Sequence, residues 1–156
     1  MSDVLFLDSG PLGLITHPQR SREVVGITDW LRECLQAGAR VMVPAIVYYE
    51  IKRELLRANK TVGIVRLDAF VGAAPDRYVP LTDDALRFAA ELWAQSRRIG
   101  RPTADAMALD IDVLLAAQAL RLDRSPIVAT TNPKHLSQFV PAQLWSDIAP
   151  STFSRL

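Results

Sequence analysis

The run from Val4 to Asp8, VLFLD, decides the fold because four consecutive apolar residues end in an acid. A strand that is apolar at every position is typical of the centre of a sheet that helices cover on both faces. The sequence SGP that follows Asp8 predicts a tight turn. We therefore expect a buried first strand here, with a carboxylate at its carboxyl end.

The rest of the chain predicts strands and helices in alternation. Further strands are expected at residues 40–44 (RVMVP), 77–81 (RYVPL), 126–130 (PIVAT) and around 143–146 (QLWS). Helices are expected at residues 21–38, 45–59, 62–71, 83–98 and 110–123, with a loop at 99–109 and a turn at 131–133. Because a parallel crossover needs a return of helix length, the predicted fold class is α/β, with a mostly parallel central sheet of about five strands and helices on both faces.

Two of these helices carry more specific predictions. The helix at 21–38 ends at Gly38, which predicts a glycine cap. In the helix at 83–98, one apolar stripe is expected to face the core, and its members are Leu86, Ala89, Ala90 and Trp93.

Composition predicts a single compact domain. The chain has 156 residues, of which 49% are hydrophobic and 22% charged, and no linker or repeat divides it, so residues 1–156 are expected to form one domain. No run approaches the roughly 20 apolar residues of a membrane helix, and the N-terminus lacks the pattern of a secretory signal. We therefore expect a cytoplasmic protein without a membrane partner.

The one cysteine, Cys34, cannot form an internal disulfide and is expected to be a buried structural thiol.

Three acids and an amide are expected at one edge of the predicted sheet. Ligands of such sheets gather beyond the carboxyl ends of the strands, where the strand order reverses. Asp8 ends the first strand, and Asn132 follows the strand at 126–130. Asp112 is expected in or near the first turn of the helix before that strand, and Glu50 about two turns into the helix after the second strand. The four side chains could therefore converge.

Carboxylates in one cleft repel each other, so at neutral pH they must hold either protons or a cation. Oxygen ligands without cysteines or paired histidines favour Mg²⁺ or Mn²⁺ over zinc. Such a metal can activate water and neutralise the charge of a phosphodiester, which favours hydrolysis of a nucleic-acid backbone. Other aspartate-dependent classes fit less well, because Gly10 stands where a dehalogenase-type phosphatase needs a second acid and SGPLG lacks the spacing of a P-loop.

Four segments together resemble the PIN-domain family, which includes the toxin ribonucleases of VapBC-type toxin–antitoxin pairs. They are FLDSGPLG at residues 6–13, IVYYEIKRELL at 46–56, DVLLAAQAL at 112–120 and ATTNPKHLSQF at 129–139. None is specific alone, but their order and spacing cover nearly the whole chain. The resemblance implies an endoribonuclease that depends on Mg²⁺ or Mn²⁺ and that could be the toxin of such a pair.

By position, the resemblance assigns the metal ligands to Asp8, Glu50 and Asp112. The fourth catalytic position falls on Asn132, where many family members have aspartate, so this chain offers an oxygen ligand without a charge there. The resemblance adds supporting roles for Ser9, Thr130 and Asp110, although Asp110 or Asp105 could simply cap the helix. Candidate RNA contacts are the basic residues that could gather near the acids: Lys52, Arg97, Arg98, Arg101, Lys134 and His135.

Structural roles remain open for each of these acids and the amide. Asp8 and Asn132 are good turn residues, and Glu50 could be a solvated helix acid paired with Arg53 or Arg57. The implied partners are an RNA substrate, a small antitoxin protein and a second copy of the chain in a homodimer. The alternative function is a PIN-fold module that binds nucleic acid or an antitoxin and cleaves weakly or not at all. A non-nuclease hydrolytic or ligand-binding α/β domain also remains open.

Overall fold

The structure is a computed structural model and describes residues 3–99 and 106–154. Strands and helices alternate along this part of the chain. In order they are β1 (Val4–Leu7), α1 (Ser9–Ile15), α2 (Arg22–Ala37), β2 (Arg40–Pro44), α3 (Ala45–Arg57), α4 (Thr61–Gly72), β3 (Tyr78–Val79), α5 (Asp83–Ile99), α6 (Ala106–Leu122), β4 (Ile127–Thr130), α7 (Pro133–Leu136) and β5 (Ala142–Leu144). Two short 3-10 turns follow, at Trp145–Asp147 and Pro150–Phe153.

The five strands form one sheet in the order β3-β2-β1-β4-β5, and every neighbouring pair is parallel. Strand β1 lies at the centre, where Leu5 pairs with Val41 of β2 and with Ile127 of β4. All four residues of β1 are buried, so both faces of the sheet are covered there. The predicted α/β class is confirmed. The strand order reverses between β1 and β4, which makes their carboxyl ends the place where such sheets bind ligands.

The glycine cap that the sequence predicts for α2 is present, and a serine caps the other end of the helix. The Ser21 hydroxyl accepts a hydrogen bond from the Val24 N–H, and Gly38 ends the helix with a φ of 110°, in the left-handed region that favours glycine. Cys34 on the same helix is fully buried, and burial followed by the nearby Glu33 raises the pKa of its thiol to about 11. Cys34 is therefore a structural residue, as expected.

Two local predictions were wrong. The segment after Asp8 is not a tight turn but the start of α1, because the Asp8 carboxylate caps that helix and Pro11 needs no hydrogen-bond donor in a first turn. Helix α6 already begins at Ala106, within the predicted loop, so Asp112 lies in its second turn and Asp110 is not its cap. The turn at 131–133 leads into α7. Asp105 lies outside the described residues.

The predicted core stripe of α5 was also wrong in part. The buried residues of α5 are Ala85, Ala89 and Ser96, whereas Leu86 is 52% exposed and Trp93 36% exposed. Helix α5 packs closely on α6 through small side chains, so the larger residues beside them remain at the edge of the contact.

The predicted third strand is shorter than its pattern indicates and consists of Tyr78 and Val79 alone. Among the described helices, none has the length and apolar character to cross a membrane.

Gln118 is a buried polar residue that connects three elements of the fold. Its side chain on α6 is 2% exposed. The Gln118 Oε1 accepts a hydrogen bond from the Ile46 N–H at 3.2 Å, and its Nε2 donates one to the Val79 carbonyl oxygen at 2.9 Å. Ile46 lies in the first turn of α3, where backbone N–H groups lack partners within the helix, and the residue before α3, Pro44, provides no side-chain cap. Gln118 therefore caps α3 from a neighbouring helix.

Replacing Gln118 with methionine should destabilise the fold. The change keeps the side-chain length but leaves the Ile46 N–H and the Val79 carbonyl buried without their partner, which costs about 1–3 kcal/mol for such a group. We expect the free energy of unfolding, measured in urea, to fall by at least about 2 kcal/mol. Gln36→Met on the exposed face of α2 is the control and should change it by less than about 0.5 kcal/mol. Equal effects of the two changes would mean that Gln118 caps nothing.

Candidate active site

Asp8 is fixed at the point where the strand order reverses. The Asp8 N–H donates a hydrogen bond to the Ala129 carbonyl of β4 at 2.9 Å, which continues the pairing of β1 with β4. The Ser9 N–H donates to Asp8 Oδ1 and the Thr130 hydroxyl donates to Asp8 Oδ2, both at 2.7 Å. The Thr130 side chain is 1% exposed. The carboxylate is therefore oriented by its own helix and by the next strand of the sheet.

The Asp112 carboxyl is affected by the charges of two other acids, Asp8 and Glu50. Burial raises the pKa of the Asp112 carboxyl from 3.8 to about 7, and the negative charges of Asp8 and Glu50 contribute to the same rise. These three acids come from β1, α3 and α6 and are far apart in sequence. Their repulsion means that near neutral pH Asp112 exchanges its proton readily, or keeps its charge only when a cation is present.

Gln118 holds the helix of Glu50 against the helix of Asp112. Ile46, whose N–H binds Gln118, lies four residues before Glu50, so the two side chains occupy neighbouring positions on one face of α3. Gln118 and Asp112 both belong to α6. The hydrogen bond therefore fixes the position of α3 next to α6. Nothing in the sequence pattern distinguished this glutamine from the alanines around it.

The chemistry of these acids suits a hard divalent cation, although a complete metal site is not preformed. Within residues 3–99 and 106–154, no three acidic, histidine or cysteine side chains form a group that could hold an ion as they stand. The repulsion at Asp112 does not require the acids to be that close. Charges affect one another over about 10 Å, whereas each oxygen ligand of an ion must lie within about 2.6 Å of it. The oxygen donors of Asp8, Glu50 and Asp112 match Mg²⁺ or Mn²⁺, but they would have to move closer around it.

Asn132 lies beside this cluster and caps a helix. Its side-chain Oδ1 accepts a hydrogen bond from the Lys134 N–H at 3.4 Å at the start of α7. The Asn132 N–H donates to the Thr130 hydroxyl at 3.1 Å, the same hydroxyl that donates to Asp8. Thr130 thus connects the turn to the Asp8 carboxylate. The structure accounts for Asn132 as a turn residue, and its role as a ligand stays a prediction.

Asp110 is not brought to the carboxylates. It lies two residues before Asp112, about 200° around the helix, and is exposed. It lines a groove between α5 and α6 together with Leu86 and Trp93. The structure therefore gives no support to its predicted place beside the metal. Asp112 and Asp110 consequently form a matched pair of acids on one helix: Asp112 is affected by the charges of Asp8 and Glu50, and Asp110 lines the α5–α6 groove.

The predicted RNA contacts fall in different surroundings. The Lys52 ammonium forms an ion pair with Asp68 of α4 at 2.7 Å, and this hydrogen bond raises the pKa of Lys52. The Arg97 guanidinium lies 5.7 Å from the centre of the Trp93 ring. The remaining three described residues are Arg98 and Lys134, which are exposed, and His135, whose Nδ1 is buried without a hydrogen-bond partner in the described part of the chain. Arg101 lies outside the described residues.

Gly10 permits the close contact that brings Asp8 to the end of β4. A Cβ atom at this position would clash with Thr131 Oγ1 and would lie 2.7 Å from Thr131 Cγ2. Thr131 directly follows Thr130, so the first turn of α1 could not approach the end of β4 with a larger residue there. In the sequence, the only indication of this contact was a glycine two residues after the acid that ends the first strand. The sequence pattern did not show what that glycine does.

Gly10→Ala should displace α1 from the turn after β4 and weaken the fold, whereas Gly13→Ala should not. In the same helix, a Cβ on Gly13 would lie 3.5 Å from Ile51 Cδ1, an ordinary contact, and alanine is favoured over glycine inside a helix by about 0.5–1 kcal/mol. We expect thermal unfolding to show a lower melting temperature for Gly10→Ala and an unchanged or higher one for Gly13→Ala. A stable Gly10→Ala variant would show that the contact is not required.

Comparison with solved structures places this arrangement in a known fold. No family model matches the sequence, and no curated protein matches it either. The chain is similar to a VapBC2 complex from Rickettsia felis bound to a DNA fragment from their promoter, with a TM-score of 0.66, 13% identity, and coverage of 91% of this chain and 98% of the other. It is also similar to VapBC-1 from nontypeable Haemophilus influenzae, with a TM-score of 0.64, 16% identity, and coverage of 92% of this chain and 99% of the other. A third similar structure is FitAB bound to an IR36 DNA fragment, with a TM-score of 0.65, 20% identity, and coverage of 92% of this chain and 96% of the other. At these identities the likeness establishes the fold alone, and the chain has the fold of PIN-domain toxins.

Proposed function

We propose that this protein is a metal-dependent endoribonuclease that hydrolyses RNA phosphodiester bonds and acts as the toxin of a toxin–antitoxin pair. The observation that supports this most is the raised pKa of Asp112, which follows from burial and from the negative charges of Glu50 and of Asp8, at the carboxyl end of β1. Like charges are costly to gather in a partly buried place, and a divalent cation offsets that cost.

Each residue of the site has a proposed role. Asp8 and Asp112 hold Mg²⁺ or Mn²⁺, Glu50 helps to hold it or orients a water molecule, and Asn132 completes the shell with a neutral oxygen. When bound, the ion lowers the pKa of water and neutralises charge on the phosphodiester. Thr130 and the Ser9 N–H keep the Asp8 carboxylate in one orientation through the hydrogen bonds described above.

The proposed partners are RNA and a small antitoxin protein. The similar structures are VapBC and FitAB complexes, some of them with DNA, which favours an antitoxin for this chain as well. Exposed Arg98 and Lys134 are proposed to contact phosphate, whereas Lys52 is already paired with Asp68. A homodimer and a cytoplasmic location remain part of the proposal.

A second function is a PIN-fold module that binds RNA or an antitoxin and cleaves weakly. Two observations favour it: asparagine occupies position 132, where an acid would add charge, and the described acids are not drawn together closely enough to form a ready ion site. In that case the three carboxylates would still repel each other, but metal would bind weakly.

Variants of Asp112 and Asp110, the two matched acids of α6, distinguish the nuclease from the binding module. In the presence of Mn²⁺, Asp112→Asn should lower the rate of RNA cleavage by at least about 100-fold, because loss of even the residues behind a metal ligand costs 10- to 100-fold. Asp110→Asn should retain most of the activity, since Asp110 lies in the α5–α6 groove. Cleavage of labelled single-stranded RNA, followed on denaturing gels, measures both rates.

Melting curves show whether metal binds at all. An ion that binds the folded protein stabilises it by about 2.7 kcal/mol at a hundredfold excess over its dissociation constant. Mn²⁺ should therefore raise the melting temperature of the parent and of Asp110→Asn but not that of Asp112→Asn. A parent that binds RNA without cleavage or a metal-dependent shift would support the binding module and contradict the nuclease.

A further inference from the structure

Gln118 is the polar residue in a buried stretch of α6 that is otherwise apolar. The five residues at positions 115–119 are all buried, and Gln118 itself is 2% exposed. Taking an amide out of water costs free energy unless its hydrogen bonds are replaced. Packing alone would favour an apolar residue at this position. The amide is therefore explained by its two partners, the Ile46 N–H and the Val79 carbonyl oxygen.

The two partners lie on either side of the junction between β2 and α3. Pro44 ends β2, immediately before α3 begins at Ala45, and it pairs with Val79 of β3. Ile46 is the second residue of α3. One side chain of α6 therefore holds the neighbouring strand at the level of Pro44 and also the first turn of α3. These bonds fix the point at which α3 leaves the sheet relative to α6.

The cap of α3 comes from another helix, although a local cap would satisfy the same N–H. A serine, threonine or aspartate just before a helix caps it with its own side chain, as Ser21 does for α2. Pro44 makes no such hydrogen bond. A local cap would stabilise α3 wherever the helix lay. A cap from Gln118 stabilises α3 only where it lies correctly against α6, so this hydrogen bond specifies a position as well as a helix.

The position of α3 bears directly on the acids of the candidate active site. Glu50 follows Ile46 by four residues, about 6 Å along α3, and lies on the same face of that helix. Asp112 precedes Gln118 by six residues, about 9 Å along α6. The hydrogen bond between Ile46 and Gln118 therefore lies within two turns of both acids. A shift of α3 along α6 would change the separation of Glu50 from Asp112.

We propose that Gln118 is a positioning residue of the candidate active site, which sets the place of Glu50 relative to Asp112 so that both can bind one divalent cation. Catalytic and metal sites work only when their groups are held to within about 0.5 Å, so a small displacement of α3 is enough to weaken the site. Gln118 acts through the backbone of α3 and not by contact with the cation or the RNA. The inference rests on the proposed function, from which it takes the cation.

The test is the affinity of the protein for Mn²⁺, measured by titration with the electron paramagnetic resonance signal of free Mn²⁺ as the readout. Gln118→Met should raise the dissociation constant by about 10-fold, the lower end of the range for loss of groups that orient metal ligands. The titration is made at a temperature at which circular dichroism shows each variant to be folded. An unchanged dissociation constant in folded Gln118→Met would overturn the proposal.

A double-mutant cycle with Glu50 separates positioning from a general loss of stability. If Gln118 acts through Glu50, adding Gln118→Met to Glu50→Ala should change the dissociation constant by less than about 2-fold, because the side chain that it positions is already absent. A glutamine with a purely structural role would have the same effect with and without Glu50. Equal effects in the two backgrounds would therefore contradict the proposal.

Trp30→Phe is the matched control. The Trp30 indole N–H on α2 donates a hydrogen bond to the Ile148 carbonyl oxygen at 2.8 Å, and Trp30 is 7% exposed. Trp30→Phe therefore removes a buried hydrogen bond between a side chain and the backbone, as Gln118→Met does, but beside the C-terminal turns instead of α3. It should lower the melting temperature and leave the Mn²⁺ dissociation constant at the parent value. A loss of affinity like that of Gln118→Met would mean that lower stability alone weakens the site, and the proposal would fail.

A second variant keeps the test decisive if Gln118→Met does not fold. Gln118→Asn then takes its place, because an amide that is shorter by one methylene group is too short to hold both partners. The same expected and contradicting results apply to it.

The two proposals fail in different ways. A parent that binds no Mn²⁺ contradicts the nuclease and the role of Gln118 together. A parent that binds Mn²⁺ and cleaves RNA, with Gln118→Met binding Mn²⁺ equally well, contradicts the role of Gln118 alone and leaves the nuclease standing.

Discussion

Burial of the Asp112 carboxyl beside the negative charges of Asp8 and Glu50 is the constraint on which the proposed site depends. Separate elements bring these acids to the edge of the sheet where β1 and β4 end, and partial burial makes their charges costly. A fold gains nothing in stability from such an arrangement. The acids are therefore best explained by a ligand that carries positive charge.

Neutral contacts around the acids keep them in place against this repulsion. The Thr130 hydroxyl and a backbone N–H orient Asp8, Gly10 lets α1 approach the end of β4, and Gln118 ties the helix of Glu50 to that of Asp112. None of these contacts adds a charge that would neutralise the cluster. Under the proposed function, the charge that these neutral contacts leave uncompensated is available to a cation.

The sequence predicted the parts that depend on local chemistry. The apolar run before Asp8, the helix that ends at Gly38 and the alternation of strands and helices each follow from residues close together, and the structure has all of them. The role of Gln118 was not predicted, because its partners Ile46 and Val79 lie far from it along the chain. The sheet rule predicted that these acids would lie near one another, and the effect of the Asp8 and Glu50 charges on Asp112 agrees with that prediction. The position of Asp110 in the α5–α6 groove could be seen only in the structure.

A direct titration of the Asp112 carboxyl by carbon-13 NMR in metal-free protein tests the central claim. The account predicts a pKa of about 7, and a lower value in Glu50→Gln, which removes one of the neighbouring charges. Since this pKa is higher in the folded than in the unfolded chain, the free energy of unfolding should fall as pH rises from about 4 to 7. A pKa near 3.8 in the parent, or one that Glu50→Gln leaves unchanged, would contradict the convergence of the three acids.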